Sequence, residues 1–316
     1  MRIVSLLPSL TEICFTLGLG HQLVGVTHEC DFPGRARELP RVTRSILPEN
    51  LSDSAEIDRQ VKAAVAESRA LYELDQDRLQ ELQPDLILTQ DLCHVCAVSV
   101  DEVRNLVAGL DLVPQVVSIE PTTLDDVIES IKTIGELSDR TATAEAVVEA
   151  LQTRIGHIRE HVQRTEHRQR VVCLEWLDPP MVAGHWVPEM VEIAGGSDPL
   201  GKPGEPSFEV SWQAVIDARP DVIVLMPCGY GLAETVTETA RLAEATDRIP
   251  PGVEHAPAVR DGHVYAVDGA SYFSRPGPRL VSGIETLAGI LHAELAVSHT
   301  PPGTVEPVHL QPAGVR

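Results

Sequence analysis

The chain has 316 residues, 43% of them hydrophobic and 23% charged, with a formal net charge of −22. That length and apolar content suffice for two packed domains rather than one. The acidity excludes nucleic acid and anionic membrane surfaces as partners, because both require clustered Lys and Arg.

In chain order, residues 2–7 read as a first strand, 11–17 as a short helix and 23–26 as a second strand. Residues 54–74 carry apolar side chains near helical spacing and predict a helix. Residues 85–89 and 116–119 are apolar strands. Strands alternating with helices imply a parallel sheet covered on both faces. Two apolar stripes follow, Leu124, Val127, Ile128, Ile131 and Ile134, then Ala144, Val147, Val148, Leu151, Ile155, Ile158 and Val162. The second predicts a helix of about 24 residues from Thr141, roughly 36 Å long, enough to join two domains. A rigid helical joint permits only small hinge motion.

Beyond it the plan repeats. Strands are predicted at 171–174, 222–225 and 264–267, with helices near 188–194, 211–218, 233–245 and 278–297. From Ser298 onward Pro, Gly and Thr predict a loose tail. Residues 79–88 and 215–224 echo each other as helix end, Pro-Asp turn and apolar strand. The predicted fold is α/β, with two Rossmann-like lobes, parallel central sheets and a long backbone helix joining them. The boundaries are 1–122 for the first lobe, 123–166 for the connecting helices, 167–297 for the second lobe and 298–316 for the tail.

Ligands of open parallel sheets bind beyond the carboxyl ends of the strands. The segments that fall there are unusually rich in Cys, His and Trp. They carry Ser9; His28, Glu29, Cys30, Asp31 and Phe32; Cys93, His94 and Cys96; Glu175 and Trp176, then His185 and Trp186; Cys228 and Tyr230; and Tyr272, Phe273 and Arg275. With aromatics at only 3% of the chain, Trp176, Trp186, Tyr230, Tyr272 and Phe273 suit flat apolar walls for a large planar ligand. Arg275 either pairs with a ligand carboxylate or phosphate or caps its own loop. Ser9 and Thr11 also fit the start of a helix as caps.

Cys93-x-x-Cys96, with His94 inside it, has three readings. With His28 and Cys30 it makes a site for a thiophilic metal such as zinc. At a helix start it makes a redox or nucleophilic thiol pair. Otherwise it is a pair of half-buried thiols. No GxGxxG, P-loop or GxSxG pattern occurs, so no dinucleotide, phosphoryl-transfer or serine-hydrolase chemistry is predicted. No apolar run approaches membrane-helix length, so no membrane insertion is expected. Met1 leads directly into the first strand with no secretion signal, which predicts a cytoplasmic chain.

Several motifs together resemble a known family. They are Ser5-Leu-Leu-Pro-Ser-Leu-Thr-Glu12, Val24-Gly-Val26 leading to Cys30-Asp-Phe-Pro33, Leu82-Gln-Pro-Asp-Leu-Ile-Leu88, Pro220-Asp-Val-Ile-Val224 and Tyr272-Phe-Ser-Arg-Pro-Gly-Pro-Arg279. Their order over residues 2–295 is similar to the helical-backbone periplasmic binding proteins, the receptors of importers for cobalamin, haem and iron-siderophores, and most similar to the cobalamin receptors. The resemblance implies a corrinoid lying flat in the cleft between the lobes. It places the Cys30-Asp31-Phe32 and Tyr272-Phe273-Arg275 loops against the corrin ring, and Glu102 near an acidic residue that docks on the transporter. The chain departs from that pattern in its thiol-rich loops, in the helix over 53–74 and in lacking a secretion signal, which restricts transporter docking to a secreted form. The reading is a cytoplasmic binding protein for cobalamin or a related corrinoid. The alternatives are a transition-metal or metal-chelate protein using its Cys and His side chains, and a thiol-dependent enzyme on the same fold. Binding is preferred to catalysis because no nucleophile, base and orienting group can be assigned from spacing.

Overall fold

The computed structural model describes residues 1–48, 51, 53–67, 71–90, 100–110, 113–163, 168–245, 248–292 and 301–310. It divides into two compact units. The first holds Met1–Leu51, Arg59–Pro121 and Asp125–Ala150, and the second holds Ser52–Asp58, Thr122–Leu124 and Leu151–Arg316.

In the first unit β1 (Ile3–Ser5) leads into α1 (Pro8–Thr16). Pro8 suits that position because the first helical turn needs no N–H partner there. Then come β2 (Leu23–Val26), β3 (Thr43–Ser45), α2 (Ser54–Ala66), whose first residues as far as Asp58 belong to the second unit, β4 (Tyr72–Leu74), α3 (Gln76–Leu82), β5 (Leu86–Thr89), α4 (Val100–Val107), β6 (Gln115–Ser118) and α5 (Leu124–Leu137). The main sheet runs β2-β1-β5-β6 with all pairs parallel. All four β5 residues are buried, as expected for a strand covered on both faces. Val4, Val42, Leu79, Ile87 and Val103 pack together as the core. The order of strands reverses between β1 and β5, so the switch point of this sheet lies there.

The helix expected over 54–74 ends at Ala66. Tyr72–Leu74 instead pairs antiparallel with Thr43–Ser45, and ladder pairing outweighs a weak helical period. Asp75 then caps α3 by accepting from the Arg78 N–H at 2.9 Å, a local signal for a fresh helix start.

The chain enters the second unit within α6 (Thr141–Val162), the expected long helix, here 22 residues. There follow β7 (Val171–Leu177), β8 (Pro180–Val182), α7 (Val187–Ile193), β9 (Phe208–Glu209), α8 (Trp212–Asp217), β10 (Val222–Leu225), α9 (Leu232–Glu244), α10 (Pro257–Arg260), β11 (Val264–Val267), α11 (Gly269–Tyr272), α12 (Leu280–Leu291) and β12 (Val305–Pro307). The sheet order is β12-β11-β10-β7-β8-β9. The central strands β11, β10 and β7 are parallel, and antiparallel strands extend the sheet at both edges.

The loose tail expected from Ser298 is corrected for residues 301–310. β12 pairs with β11, and Val308 and Leu310 join the unit's core. Two residues apart on an extended chain, they share one face.

Two buried carboxylates brace the second unit. Glu238 of α9 accepts from the Ser54 N–H at 3.0 Å, the Ser54 hydroxyl at 2.5 Å and Arg241 at 2.8 Å. Glu285 of α12 takes a two-pronged grip from Arg154, at 2.9 and 2.6 Å. A planar guanidinium facing a carboxylate in this way fixes both distance and angle.

Candidate functional site

In the first unit the carboxyl edge of the sheet is lined by polar side chains that its interior holds tightly. Ser5, Ser9, Thr11, Glu12, Thr27, Thr89 and Gln90 are all buried. The hydroxyls of Ser9 and Thr89 have no hydrogen-bond partner among the described residues. They follow β1 and end β5, the two strands that flank the switch point. Thr89 was not selected from the sequence, where it reads as the last residue of a strand.

His28 leaves β2 half-buried. Its Nδ1 lies 2.8 Å from the Thr43 hydroxyl, and its ring faces Tyr72 with centroids 5.2 Å apart. Tyr72 in turn donates to Glu29 at 3.1 Å. The antiparallel β3–β4 pair therefore supplies the partners of His28, and sequence reasoning missed it. Tyr72 is one of only four tyrosines, a signal masked by its placement in a predicted helix.

Cys30 is 1% exposed, with its sulfur 3.1 Å from the Thr11 hydroxyl. Its thiol is packed in the interior of the first unit. Phe32 is exposed and Asp31 half-exposed at this edge. Cys93, His94 and Cys96 lie outside the described residues. Among the described residues no three His, Cys, Asp or Glu side chains are grouped to hold a metal ion.

The thiol-enzyme alternative gains no support from the buried cysteines. Burial, then neighbouring Cys30, pushes the Cys14 thiol up to about 12. Burial and the nearby Asp198 hold the Cys173 thiol well above its ordinary value. A nucleophile needs the opposite shift.

In the second unit β7 runs through Glu175 and Trp176 into a hairpin, Trp176 pairing with Met181. Tyr230 meets Trp176 edge to face with centroids 5.7 Å apart, on the turn that also exposes Cys228. Trp186 and Phe273 are not ligand walls in this structure. They are 5% and 2% exposed, and the Trp186 indole N–H donates to the Phe273 carbonyl at 2.7 Å. A buried aromatic and a cleft aromatic have the same sequence signature, and only packing separates them. Tyr272 and Arg275 beside them remain half-exposed, and Arg279 stacks over the Tyr272 ring at 5.5 Å. Asp268 sets this loop by capping α11 through the Ser271 N–H at 2.8 Å.

His185 is half-buried with φ +53, in the left-handed region. Non-glycine residues there are uncommon and gather at functional sites. It follows Gly184, where an added Cβ would lie 2.4 Å from the Glu205 carbonyl oxygen, so only glycine admits the backbone contact. Burial lowers the His185 pKa from 6.5. Burial also lowers that of His28, Arg41 adding to it and Glu29 opposing.

A histidine with a lowered folded pKa adds stability that is complete above 6.5 and is lost as pH falls into the lower folded value, because the unfolded chain binds the proton first. Asp178 and Asp198, raised chiefly by burial, act in the opposite sense and lose stability as pH rises. The stability advantage of wild type over His185→Gln is therefore expected to shrink on acidification from about pH 7 to 5. Urea unfolding at several pH values checks this, and a constant difference across that window contradicts it.

A two-unit α/β chain with parallel sheets, a helical joint and polar and aromatic side chains at its strand ends defines a receptor-type binding protein. The chain belongs to the Periplasmic binding protein family, whose model matches residues 3–270. It is similar to the vitamin B12-binding protein of Vibrio parahaemolyticus, 22% identical over 90% of this chain and 86% of that one. It is also similar to an uncharacterized ABC transporter substrate-binding lipoprotein of Bacillus subtilis, 24% identical over 93% and 80%. Among solved structures, a periplasmic haem-binding protein from Pseudomonas aeruginosa superimposes with a TM-score of 0.72 at 18% identity, covering 98% of each chain. The periplasmic vitamin B12-binding protein of Vibrio cholerae does so with 0.63 at 20% identity, covering 93% and 98%. The expected cytoplasmic placement is corrected by these findings, because the family and its relatives are periplasmic proteins and lipoproteins that act outside the cytoplasm.

Proposed function

We propose that this chain is the receptor of an ABC importer and that its ligand is a corrinoid. The observation that carries the proposal is the vitamin B12-binding relative aligned over 90% of the chain. His185 supports it chemically. Its depressed pKa keeps the imidazole neutral, and its ring makes no side-chain hydrogen bond among the described residues. A neutral imidazole is a good axial ligand for a transition metal such as cobalt. Ser9, His28, Glu29, Asp31 and Phe32 of the first unit serve as ligand contacts in this reading. Glu175, Trp176, Cys228, Tyr230, Tyr272 and Arg275 do so in the second. Exposed Glu102, in the first turn of α4, is the docking residue for the transporter.

Cobalamin added to the purified protein is expected to show shifted corrin absorption bands. His185→Ala is expected to remove the shift and to weaken binding about tenfold. Haemin serves as the competitor, with elemental analysis of the same sample. Tighter binding of haemin than of cobalamin, or one equivalent of zinc with no corrin shift, contradicts the proposal.

A further inference from the structure

Two hydrogen-bond donors at the carboxyl edge of the second unit's sheet are buried without partners among the described residues, the indole N–H of Trp176 and the hydroxyl of Tyr230. They sit on neighbouring parallel strands, Trp176 near the end of β7 and Tyr230 just beyond β10. The backbone fixes them together. The Cys228 N–H donates to the Glu175 carbonyl at 2.9 Å, and the Tyr230 N–H donates to the Pro227 carbonyl at 3.1 Å. Both side chains are half-buried beside the exposed turn at Cys228 and Gly229.

We propose that Trp176 and Tyr230 form a subsite for one uncharged oxygen acceptor, the carbonyl of a side-chain amide, and that this subsite selects amide-bearing corrinoids over macrocycles bearing carboxylates. The inference rests on the corrinoid reading above and deepens it.

An indole N–H donates and never accepts. Tyr230 remains a donor too, since burial and then Glu238 push its ionisation up to about 12. An unmade buried hydrogen bond is costly, so an acceptor that satisfies both groups recovers that cost on binding.

The charge of the surroundings decides which acceptor. Asp53, Glu234 and Glu238 act on Tyr230, opposed by Arg241. Asp53, Asp58 and Glu238 act on Asp178, two residues from Trp176, opposed by Arg248. Both guanidinium groups are already engaged. Arg241 bonds Glu238 at 2.8 Å, and Arg248 lies between Asp53 at 3.2 Å and Asp178 at 3.3 Å. Carboxylates outnumber guanidinium groups here, so a ligand carboxylate is repelled where an amide carbonyl is not.

The test titrates the intact chain with cyanocobalamin and with the same corrinoid after partial hydrolysis of its side-chain amides to carboxylates. Both titrations are repeated on Tyr230→Phe, which keeps the ring and removes the hydroxyl, on Trp176→Phe, which removes the indole N–H together with its five-membered ring, and on the double variant. The hydrolysed corrinoid is expected to bind wild type about tenfold more weakly, and each single variant to weaken amide binding about three- to tenfold. Discrimination is expected to shrink in the double variant. Unliganded Tyr230→Phe is expected to melt no lower than wild type, since it loses only a donor that is unpaired among the described residues. That result separates a ligand-directed role from a structural one. Equal binding of the two corrinoids to wild type, or undiminished discrimination in the double variant, overturns the subsite while leaving the corrinoid reading intact. Binding of neither corrinoid overturns both.

Discussion

Replacing Glu238 by alanine is expected to lower the unfolding free energy by about 3–5 kcal/mol, the usual result of removing one partner of a buried charged network. Glu238 is 1% exposed and receives three hydrogen bonds. Its loss strands the Ser54 N–H and hydroxyl in the interior, and each unmade bond there costs about 1–3 kcal/mol. Arg241, partly exposed, recovers water and contributes little to the loss. The consequence reaches beyond α9, because Ser54 begins α2 and lies in the segment Ser52–Asp58 of the second unit. Arg248 bonds the same segment at Asp53. Urea unfolding measures the loss, and amide exchange should rise first at residues 53–58. An unchanged midpoint, or exchange that rises evenly over the whole chain, contradicts this account.

Phe273→Ala is expected to cost about 3–5 kcal/mol, the range for truncating a buried aromatic. Its ring packs near α12, where an added Cβ on Gly283 would lie 3.3 Å from the Phe273 ring and 2.3 Å from the Tyr272 carbonyl oxygen. α12 can approach the 272–273 loop this closely only because residue 283 has no side chain. The cavity left by alanine loosens the seat of Tyr272 and Arg275, so corrinoid binding should weaken along with thermal stability. Phe273→Leu, which keeps most of the volume, should lose much less of both. A stable Phe273→Ala protein with full affinity would contradict this.

Much of the fold was legible in the sequence because each central strand is a short apolar run. β2, β10 and β11 match their expected bounds, and the apolar stripes of α5 and α6 marked the helical joint. Apart from β1, strands of two or three residues were not legible. β3, β4, β8 and β9 are held by register with a neighbour rather than by their own propensity, which a single sequence does not display. The segments at the strand ends could be located, since strand ends in a parallel sheet follow from periodicity. Which side chain of a segment turns inward was not legible. Cys30 and Trp186 were read as ligand contacts and are buried residues, while Thr43 and Tyr72, the partners of His28, reach it from a strand pair that was not foreseen.

The antiparallel return of residues 305–307 onto β11 settles how large the second sheet can become. An uncovered β11 would offer a row of unpaired N–H and C=O groups on which another polypeptide could add. β12 fills that row, and at the far side β9 offers only Phe208 and Glu209, a stub too short and too charged to template an incoming strand. Both margins of this sheet are therefore strands of two or three residues, β12 ending in a proline, and each offers an incoming chain few backbone groups to pair with.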